Sequence, residues 1–562
     1  MTGSIARVVS RLFKVCGGRE LLRFVKHNRR VFSPQPKSGR LRPEVLVEAN
    51  NLHSAHIAYS YLANVLADQD GARIVAYFAE APRGWWSSLN WMAKQAVSHS
   101  LFGAYKSFGA DGFVSPVLDA DQRVRSGELF KEVYSRITSK VSVEELAIRG
   151  VRIGDLVYDN YLREYSQPTV DKLAPDFIRS LQDSIDLFVF WDDYLTRHDV
   201  RAINVSHCVY ANAIPLRLGV SRGIPVFQIN LTHAYRLDAQ HLFAYNDFHY
   251  FRERFAALPA RVRQAGLEEA RRRVDRRFAG EVGVDMSYST QSAFGAPRDA
   301  RLLRPSSRKK ILIAAHCFFD SPHAYGDNIF PDFYEWLDFL GRMTECTDYD
   351  WYIKTHPDFL PGSKEVVDAF LERYPRLKLL PSNASHHQII ADGIDVALTV
   401  YGTIGFEYAA LGIPVICASQ NNPHIAYEFN VHAKNVEHYR ELLLNLDDVK
   451  RTIDLAQVYE YYFMAFIHNS ENLFLSNYAG TVRELGGYSQ QFTPAVYDAW
   501  LAEWTPEKHA SLIARLRAFV KSGVFRMTTS DLDDRAVGTV VASPVAFVSE
   551  LVPVGTVEGV GL

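Results

Sequence analysis

The chain has 562 residues, of which 48% are hydrophobic and 22% charged, and its formal net charge is −2. At about 100–200 residues per domain, this length excludes a single hydrophobic core and predicts two or three domains. The balanced charge excludes a protein that binds nucleic acid over its whole surface, so no nucleic-acid partner is expected. No apolar run reaches about 18 residues, so a transmembrane helix is not expected either.

The first 42 residues are basic, with eleven Lys or Arg and a single acid, Glu20. In the stretch SIARVVSRLFKV, apolar residues at helical spacing alternate with Arg7, Arg11 and Lys14. A basic amphipathic helix of this kind can lie in an anionic membrane surface; a solvated helix or a disordered tail is the alternative. The same cations interrupt the apolar run, so a signal peptide is not expected. Residues 1–43 are therefore a basic N-terminal segment and a candidate contact with the inner-membrane surface.

The cysteines have no metal-ligand or redox-motif spacing, and their number is odd: Cys16, Cys208, Cys317, Cys346 and Cys417. This usage is typical of a reduced compartment. We expect a cytoplasmic protein, with peripheral attachment to the inner membrane as a candidate property.

Residues 44–300 are predicted to form an N-terminal α/β domain. A strand at 45–48, a helix and a strand at 74–78 make a βαβ unit. The apolar runs IDLFVFWDD, INVS and VFQIN predict further strands between helices. Short apolar strands that alternate with helices indicate a doubly wound, Rossmann-like sheet.

Residues 301–433 repeat this organisation. Strands are expected in KILIAAH, DWYIKTHP, RLKLLP, DVALTV and IPVICA, with helices between them. The predicted fold class is therefore α/β, with two doubly wound domains that face a cleft (the GT-B arrangement), and ligands are expected at the carboxyl edges of both sheets. Aromatic-rich helices follow over 434–526, and the aperiodic tail, 527–562, is predicted to be mobile.

The stretch WYIKTHP places three candidate phosphate-binding residues at a strand end. The strand ends at Lys354, so His356 and Pro357 come at the carboxyl edge of the sheet. An imidazole there can donate a hydrogen bond to a phosphate, Lys354 adds positive charge, and Pro357 fixes the turn. A surface His–Pro turn without function is the alternative.

The stretch YGTIGFEYAALG supplies the second half of the predicted site. Gly402 and Thr403 stand where a strand passes into a helix, and backbone N–H groups there, with the Thr403 hydroxyl, can bind an anion. Glu407, one turn later, is suited to a ribose hydroxyl pair. In SNASHHQII, Ser385 is expected to cap a short helix near the base or ribose. Simple capping and helix–sheet packing are the alternatives for both helices.

No metal or other cofactor is expected beyond a nucleotide-sugar co-substrate. His386 and His387 have no identifiable partner ligands, and the chain contains neither G-x-G-x-x-G nor a P-loop. The catalytic base is expected at a strand end of the N-terminal domain, with Asp193 and His207 preferred. The other candidate bases at strand ends are Glu48, His53, His56, Asp192 and His233, and Tyr210 follows His207 where that strand passes into a helix. His316, Asp320 and His323 lie in a polar–aromatic loop at the cleft that can cover a phosphate; shielding of the sheet end is the alternative for this loop.

The K-x-H-P strand end and the later G-T-x-G-F-E helix, within residues 310–420, resemble the C-terminal domain of GT-B glycosyltransferases of bacterial capsule and surface polysaccharides. The His–Pro pair is similar to that of CMP-sugar users, the sialyltransferases and Kdo transferases. By this resemblance His356 and Thr403 would contact the CMP phosphate and Glu407 would hold the ribose or base. This chain departs from several of those families, because Gly402 and Thr403 replace a pair of serines.

The predicted function is therefore transfer of a sugar, from a nucleotide donor of the CMP-linked acid-sugar class, to a saccharide or lipid-linked acceptor. Residues 301–433 would bind the nucleotide sugar, and the N-terminal domain, residues 44–300, would hold the acceptor. His356 would stabilise the departing phosphate. The alternatives are a CDP-glycerol-type polyol-phosphate transferase, a nucleotide-sugar 2-epimerase and a non-catalytic protein of polysaccharide assembly.

Overall fold

The computed structural model describes residues 18–32, 42–80, 101–287, 289, 291–295, 301–356, 362–449 and 452–530. Its strands in the first half are β1 (Glu44–Ala49), β2 (Arg73–Phe78), β3 (Ala110–Val114), β4 (Ala147–Ile148), β5 (Val151–Arg152), β6 (Val200–Val205), β7 (Val226–Ile229) and β8 (Ala234–Leu237). Those of the second half are β9 (Lys310–Ala314), β10 (Asp350–Lys354), β11 (Leu377–Leu379), β12 (Val396–Thr399), β13 (Val415–Cys417) and β14 (Val431–His432).

Helices alternate with these strands. In the first half they are α1 (Arg19–Val31), α2 (His53–Asp70), α3 (Leu101–Ser107), α4 (Ala120–Arg136), α5 (Lys140–Glu144), α6 (Gly154–Glu164), α7 (Pro175–Arg197), α8 (Ile214–Ser221), α9 (Phe251–Ala257) and α10 (Ala260–Phe278). In the second half they are α11 (Phe333–Cys346), α12 (Ser363–Arg373), α13 (His386–Ala391), α14 (Ile404–Ala410), α15 (Val436–Leu444), α16 (Leu455–Tyr462), α17 (Tyr478–Glu484), α18 (Ala495–Glu503) and α19 (Pro506–Ser522). A π-helical turn, Phe463–Ile467, follows α16.

Both large sheets have the strand order of a Rossmann fold. The first is β3-β2-β1-β6-β7-β8 and the second β11-β10-β9-β12-β13-β14. All neighbouring strands are parallel except β8, which is antiparallel to β7. The order reverses between β1 and β6, and again between β9 and β12, so each sheet has a switch point where a ligand crevice opens. The predicted α/β fold with two Rossmann-like domains is confirmed.

Each sheet is covered on both faces, as parallel sheets require. The first sheet packs α2 and the C-terminal helices α18 and α19 against one face, and α6, α7 and α8 against the other. The second sheet packs α11, α12 and α15 on one face and α13 and α14 on the other. The hydrophobic core between the first sheet and α7 also includes Phe406 of α14 and Tyr461 of α16. Apolar packing therefore joins the first domain to the second.

The helices after α16 return to the first domain. Tyr497 of α18 stacks on Phe24 of α1 with ring centroids 4.2 Å apart. The backbone of Met527 donates to Ala234 of β8 at 3.0 Å. The C-terminal helices therefore complete the N-terminal domain instead of extending the second one.

One predicted strand is wrong. IDLFVFWDD lies within α7, a helix that begins at Pro175 and ends at Arg197. Its buried residues recur at helical spacing, from Phe177 through Leu181 to Phe188 and Leu195. A local run of strand-favouring residues hid this longer period, and burial of one face decided the structure.

Part of the N-terminal prediction concerns α1. Leu21, Phe24 and Val25 of this helix are buried against the protein, so its apolar face is not available to a bilayer. The stretch SIARVVSRLFKV, Pro357 and the tail from residue 531 lie outside the described residues. None of the described helices is long and apolar enough to cross a membrane.

Candidate active site

A cavity of about 910 Å³ lies where the switch points of the two sheets face each other. The first domain lines it with the ends of β1 and β6, including Glu48, Ser206 and His207. The second domain contributes His316, after β9, and Tyr401, after β12. A cavity at paired switch points is the position expected of a ligand site in this fold, and its volume is that of a site for a ligand of nucleotide-sugar size.

The ends of β1 and β6 are joined by one carboxylate. Glu48 accepts hydrogen bonds from the Ser206 backbone at 2.7 Å and from the Ser206 hydroxyl at 2.5 Å. Burial raises the pKa of Glu48 despite these bonds. This carboxyl group fixes the loop that carries His207 into the cavity.

His207 faces the cavity as a neutral imidazole. Burial, followed by the charge of Arg163, lowers the pKa of His207 to about 4. Tyr210 and Tyr245, two large residues of the same wall, have backbone φ angles of 64° and 75°, in the left-handed region. Left-handed conformations of bulky residues are uncommon and cluster at functional sites.

His316 has a tautomer fixed by its neighbours. The backbone N–H of Val400 donates to its Nε2 at 3.1 Å, so Nε2 is an acceptor and Nδ1 carries the proton. Thr399 lies 3.0 Å from the same nitrogen through Oγ1, and Oγ1 also accepts the Gly402 N–H at 2.9 Å. The ring stacks on Phe333 at 4.6 Å. Burial, followed by His356, lowers the pKa of His316 to about 3, so it is a neutral donor through Nδ1.

The loop after β9 also holds the two domains together. Tyr210 donates to Asp320 at 2.7 Å, and His323 lies between Asp159, at 2.6 Å, and Glu144, at 3.2 Å. Burial alone would lower the pKa of His323, but the two carboxylates outweigh it and raise that pKa well above its usual range. A fully buried imidazolium therefore joins the loop to α5 and α6.

Lys354, at the end of β10, is a buried cation. Its residue is 5% exposed, and its ammonium has no hydrogen-bond or ion-pair partner among the described residues. Burial lowers the pKa of Lys354 to about 8, although the charge of Glu407 acts in the opposite direction. A buried charge without a partner is costly, and an anion would offset that cost.

Several predicted site residues lie near one another around His386. Burial, then the charges of Lys354, Arg277 and His356, lower the pKa of His386 well below its usual range. Arg277 of α10 donates to Oε1 of Glu407 through Nε at 2.9 Å and through Nη2. No described residue bonds the other oxygen of Glu407. The result is a cationic region with one carboxylate, next to the cavity wall that contains His316.

Gly402 and Thr403 stand at the start of α14, as predicted. A Cβ at Gly402 would lie 2.8 Å from the Thr399 hydroxyl, so glycine lets the turn close over that side chain. Thr403 makes no side-chain capping bond, and no described residue bonds its hydroxyl. The hydroxyl of Thr403 therefore remains available to a ligand.

The capping role predicted for Ser385 is wrong. Its hydroxyl donates to the carbonyl of Gly295 at 2.6 Å and makes no bond to α13. The first N–H of α13, that of His386, donates to Ala293 at 3.0 Å. The chain's own segment around Phe294 therefore satisfies this helix start, which a single-sequence pattern could not anticipate.

Asp193 does not lie in the cleft, so its assignment as a catalytic base is wrong. It stands in the last turns of α7 and accepts a hydrogen bond from Arg125 at 3.0 Å. The hydrogen bond from Arg125 is the main cause that lowers the pKa of Asp193. The error follows from the α7 strand prediction, because Asp193 would be a strand-end residue only if the preceding run were a strand.

Sequence reasoning missed Arg163 and Arg277. Both lie on helices of the first half, on stretches without a motif, and both reach groups far along the chain. Arg163 lines the cavity and Arg277 bonds Glu407. Among the described residues, no group of three or more His, Cys, Asp or Glu side chains is arranged to hold a metal ion.

Comparison with known proteins adds little to this geometry. No protein-family model matches the chain, and no curated protein matches it. A UDP-GlcNAc 2-epimerase from Neisseria meningitidis, solved with UDP-GlcNAc, is 10% identical over 79% of this chain and 98% of its own, with a TM-score of 0.23. A β-Kdo 2,7 transferase, KpsC from Thermosulfurimonas dismutans, is 15% identical over 49% of this chain and 80% of its own, with a TM-score of 0.30.

The glycotransferase of kitacinnamycin is 14% identical over 79% of this chain and 99% of its own, with a TM-score of 0.19. At such identities and TM-scores these likenesses carry no argument about activity.

Proposed function

We propose that the chain is a GT-B glycosyltransferase of bacterial surface-polysaccharide assembly. It would take a CMP-linked acid sugar as donor and a saccharide or lipid-linked acceptor. The observation that carries the proposal is the buried ammonium of Lys354, at the strand end that the K-x-H-P motif marks, which has no partner in the part of the chain that the structure describes. A donor phosphate is the anion that fits this position.

The donor would lie across the carboxyl edge of the second sheet. Its phosphate would contact Lys354, His356 and the free hydroxyl of Thr403. A ribose hydroxyl would donate to the oxygen of Glu407 that Arg277 leaves open. The sugar would then extend past Tyr401 and His316 into the cavity.

Transfer forms a bond between the acceptor oxygen and the anomeric carbon and breaks the bond from that carbon to the phosphate oxygen. The negative charge that develops on the leaving CMP is stabilised by Lys354 and His356. His207, which is neutral at physiological pH, is positioned in the cavity to accept the proton of the acceptor hydroxyl. No step requires a metal.

A thermal-shift panel with CMP, CDP, UMP, UDP and GDP tests the nucleotide class. Stabilisation by CMP above the others supports the proposal, and no response to any nucleotide would contradict it. With donor and acceptor present, phosphorus NMR should show free CMP as the phosphorylated product. Transfer of the phosphorus to the acceptor would instead indicate a polyol-phosphate transferase, and isomerisation of a UDP-sugar alone would indicate an epimerase.

We also propose peripheral attachment to an anionic membrane surface through α1. Four exposed cations, Arg19, Lys26, Arg29 and Arg30, lie on the side of this helix opposite its buried apolar residues. Attachment would be electrostatic, because the apolar face is buried in the protein.

A further inference from the structure

The cavity between the two domains has an unusual charge pattern. Five carboxyl groups line it, those of Glu48, Glu80, Glu164, Asp183 and Asp320. Among the described residues, Arg163 is the one Lys or Arg side chain in its wall. Because the lining combines five carboxyl groups with one guanidinium, the most favourable position for an anionic group in this cavity is beside Arg163.

Arg163 acts at the junction of the two domains. Burial lowers the pKa of His207 and raises that of Tyr210, Cys317 and Asp320; the nearby charge of Arg163 adds to the first shift and opposes the other three. In each of these four groups burial has the larger effect, and the charge of Arg163 is a further cause. Arg163 thus lines the cavity that both domains enclose, where the proposed function brings the donor sugar and the acceptor hydroxyl together.

The neighbouring carboxyl groups are arranged to permit an anion there. Asp320 accepts a hydrogen bond from Tyr210 at 2.7 Å, and Glu48 accepts two from Ser206. Burial raises the pKa of both carboxyl groups. Repulsion from these two positions is therefore weaker than the number of acids suggests.

The phosphate position is separate from Arg163. Lys354 is not in the cavity wall, whereas His316 lines the cavity and is within electrostatic range of His356. A donor with one phosphate at Lys354 and its sugar in the cavity would present any second negative charge to Arg163. Among the candidate donors, a CMP-linked acid sugar carries that second charge on the sugar itself.

We infer that Arg163 binds the carboxylate of the donor sugar and thereby selects acid-sugar donors. This inference rests on the proposed function, because it assumes that a nucleotide occupies the Lys354 position. Guanidinium is suited to the task, since it presents two parallel N–H donors to a carboxylate. Arg163 would be a specificity residue that contacts the donor and takes no part in proton transfer.

The test removes the charge of Arg163 by substitution and the charge of the sugar carboxylate by esterification, separately and together. Binding of CMP, of CMP-N-acetylneuraminate and CMP-Kdo, and of the methyl ester of each sugar nucleotide is measured by calorimetry on the full chain. The wild type is compared with Arg163→Met, Arg163→Lys and the control Arg136→Met. Arg136 is an exposed residue of α4 whose side chain pairs with Glu132.

In the wild type, at least one acid-sugar nucleotide should bind more tightly than CMP, and its methyl ester should lose about tenfold or more in affinity. In Arg163→Met the acid and its ester should bind alike, while CMP affinity stays at the wild-type value. Arg163→Lys should retain part of the preference, and Arg136→Met all of it. Circular dichroism of each variant checks that it is folded.

The outcomes separate the two proposals. If the wild type does not bind CMP, the nucleotide site itself is refuted. If CMP binds but neither acid sugar improves on it, or if esterification costs the same with and without Arg163, the Arg163 inference is refuted and the nucleotide site stands.

Discussion

Lys354 is held in a position that costs stability in the absence of an anion. Burial lowers its pKa from 10.5 to about 8, which means that the folded protein binds this proton less well than the unfolded chain does. The unfolded chain therefore holds more protons between about pH 8 and 10.5, and the stability of the free protein gains from rising pH in that window. Below pH 8 the ammonium is charged, and its burial opposes folding.

Lys354→Met is expected to separate binding from stability. The variant should raise the melting temperature of the free protein at pH 7, because it removes a buried charge that no described residue pairs. It should also weaken CMP binding by about ten- to a hundredfold, the usual range for a charge-assisted hydrogen bond.

In the wild type, CMP affinity should fall as the pH rises above 8 and the ammonium of Lys354 loses its proton. Calorimetry across pH 6.5 to 9.5 checks these trends, and equal CMP affinity of the variant at pH 7 would refute the role.

His207 and Asp193 give a matched pair for the chemical step. His207→Asn should lower kcat by about 10²- to 10⁴-fold, the usual contribution of a general base, while CMP affinity is retained. Asp193→Asn should keep kcat, because its carboxylate pairs with Arg125 away from the cavity. Transfer rates under saturating donor measure both variants. A loss of rate in Asp193→Asn, or none in His207→Asn, would reverse the assignments.

Individual residues were predictable where a motif and a strand end coincide. Lys354 and Gly402 follow directly from an apolar run that stops at polar residues. Asp193 was misplaced because its neighbourhood resembles a strand over nine residues and a helix only over the whole of α7. Arg163 could not be found at all, since its role depends on which helix the fold brings to the cavity.

The apolar face of α1 is covered by protein, not by lipid. The amphipathic pattern predicted to contact lipid belongs to SIARVVSRLFKV, outside the described residues, whereas in α1 Phe24 stacks on Tyr497 and Val25 is buried. The exposed face of α1 carries the cations Arg19, Lys26, Arg29 and Arg30. A single sequence shows the amphipathic pattern of a helix but does not show whether protein or lipid covers the apolar side.

Removing two of these cations tests the membrane proposal. Lys26→Gln together with Arg30→Gln should weaken binding to phosphatidylglycerol vesicles by about thirtyfold, at about 1 kcal/mol for each cation near the surface. Binding should also fall steeply with salt. Arg136→Gln on the full chain is the control, and co-sedimentation is the measurement. Undiminished binding of the double variant, or equal binding to neutral vesicles, would contradict the proposal.

The whole molecule is held together across its cleft by buried charge. His323, from the loop after β9, is fully buried between Asp159 and Glu144. Because the pKa of His323 is raised, its contribution to stability is complete below the ordinary histidine pKa and is lost as the pH rises through the raised value. The two-domain architecture was predictable from the strand and helix pattern, whereas this contact between residues far apart in the sequence was not.

His323→Leu should therefore destabilise the protein by about 3–5 kcal/mol near neutral pH, because it leaves two carboxylates without their cation. Lys364→Ala is the control, since its ion pair with Asp368 is exposed and screened by solvent, so its loss should change the stability little. Denaturant unfolding at several pH values measures the free energy of unfolding of both variants and the wild type. The difference between His323→Leu and the wild type should narrow at alkaline pH, and a difference that widens there would contradict the assignment of a charged His323.

Calorimetric titration of the wild-type chain with CMP, beside Lys354→Met and His356→Ala, tests the nucleotide site most directly. The account predicts that CMP binds the wild type and that both variants lose most of this affinity while their circular dichroism stays unchanged. CMP binding of equal strength in all three proteins, or no binding to the wild type, would contradict it.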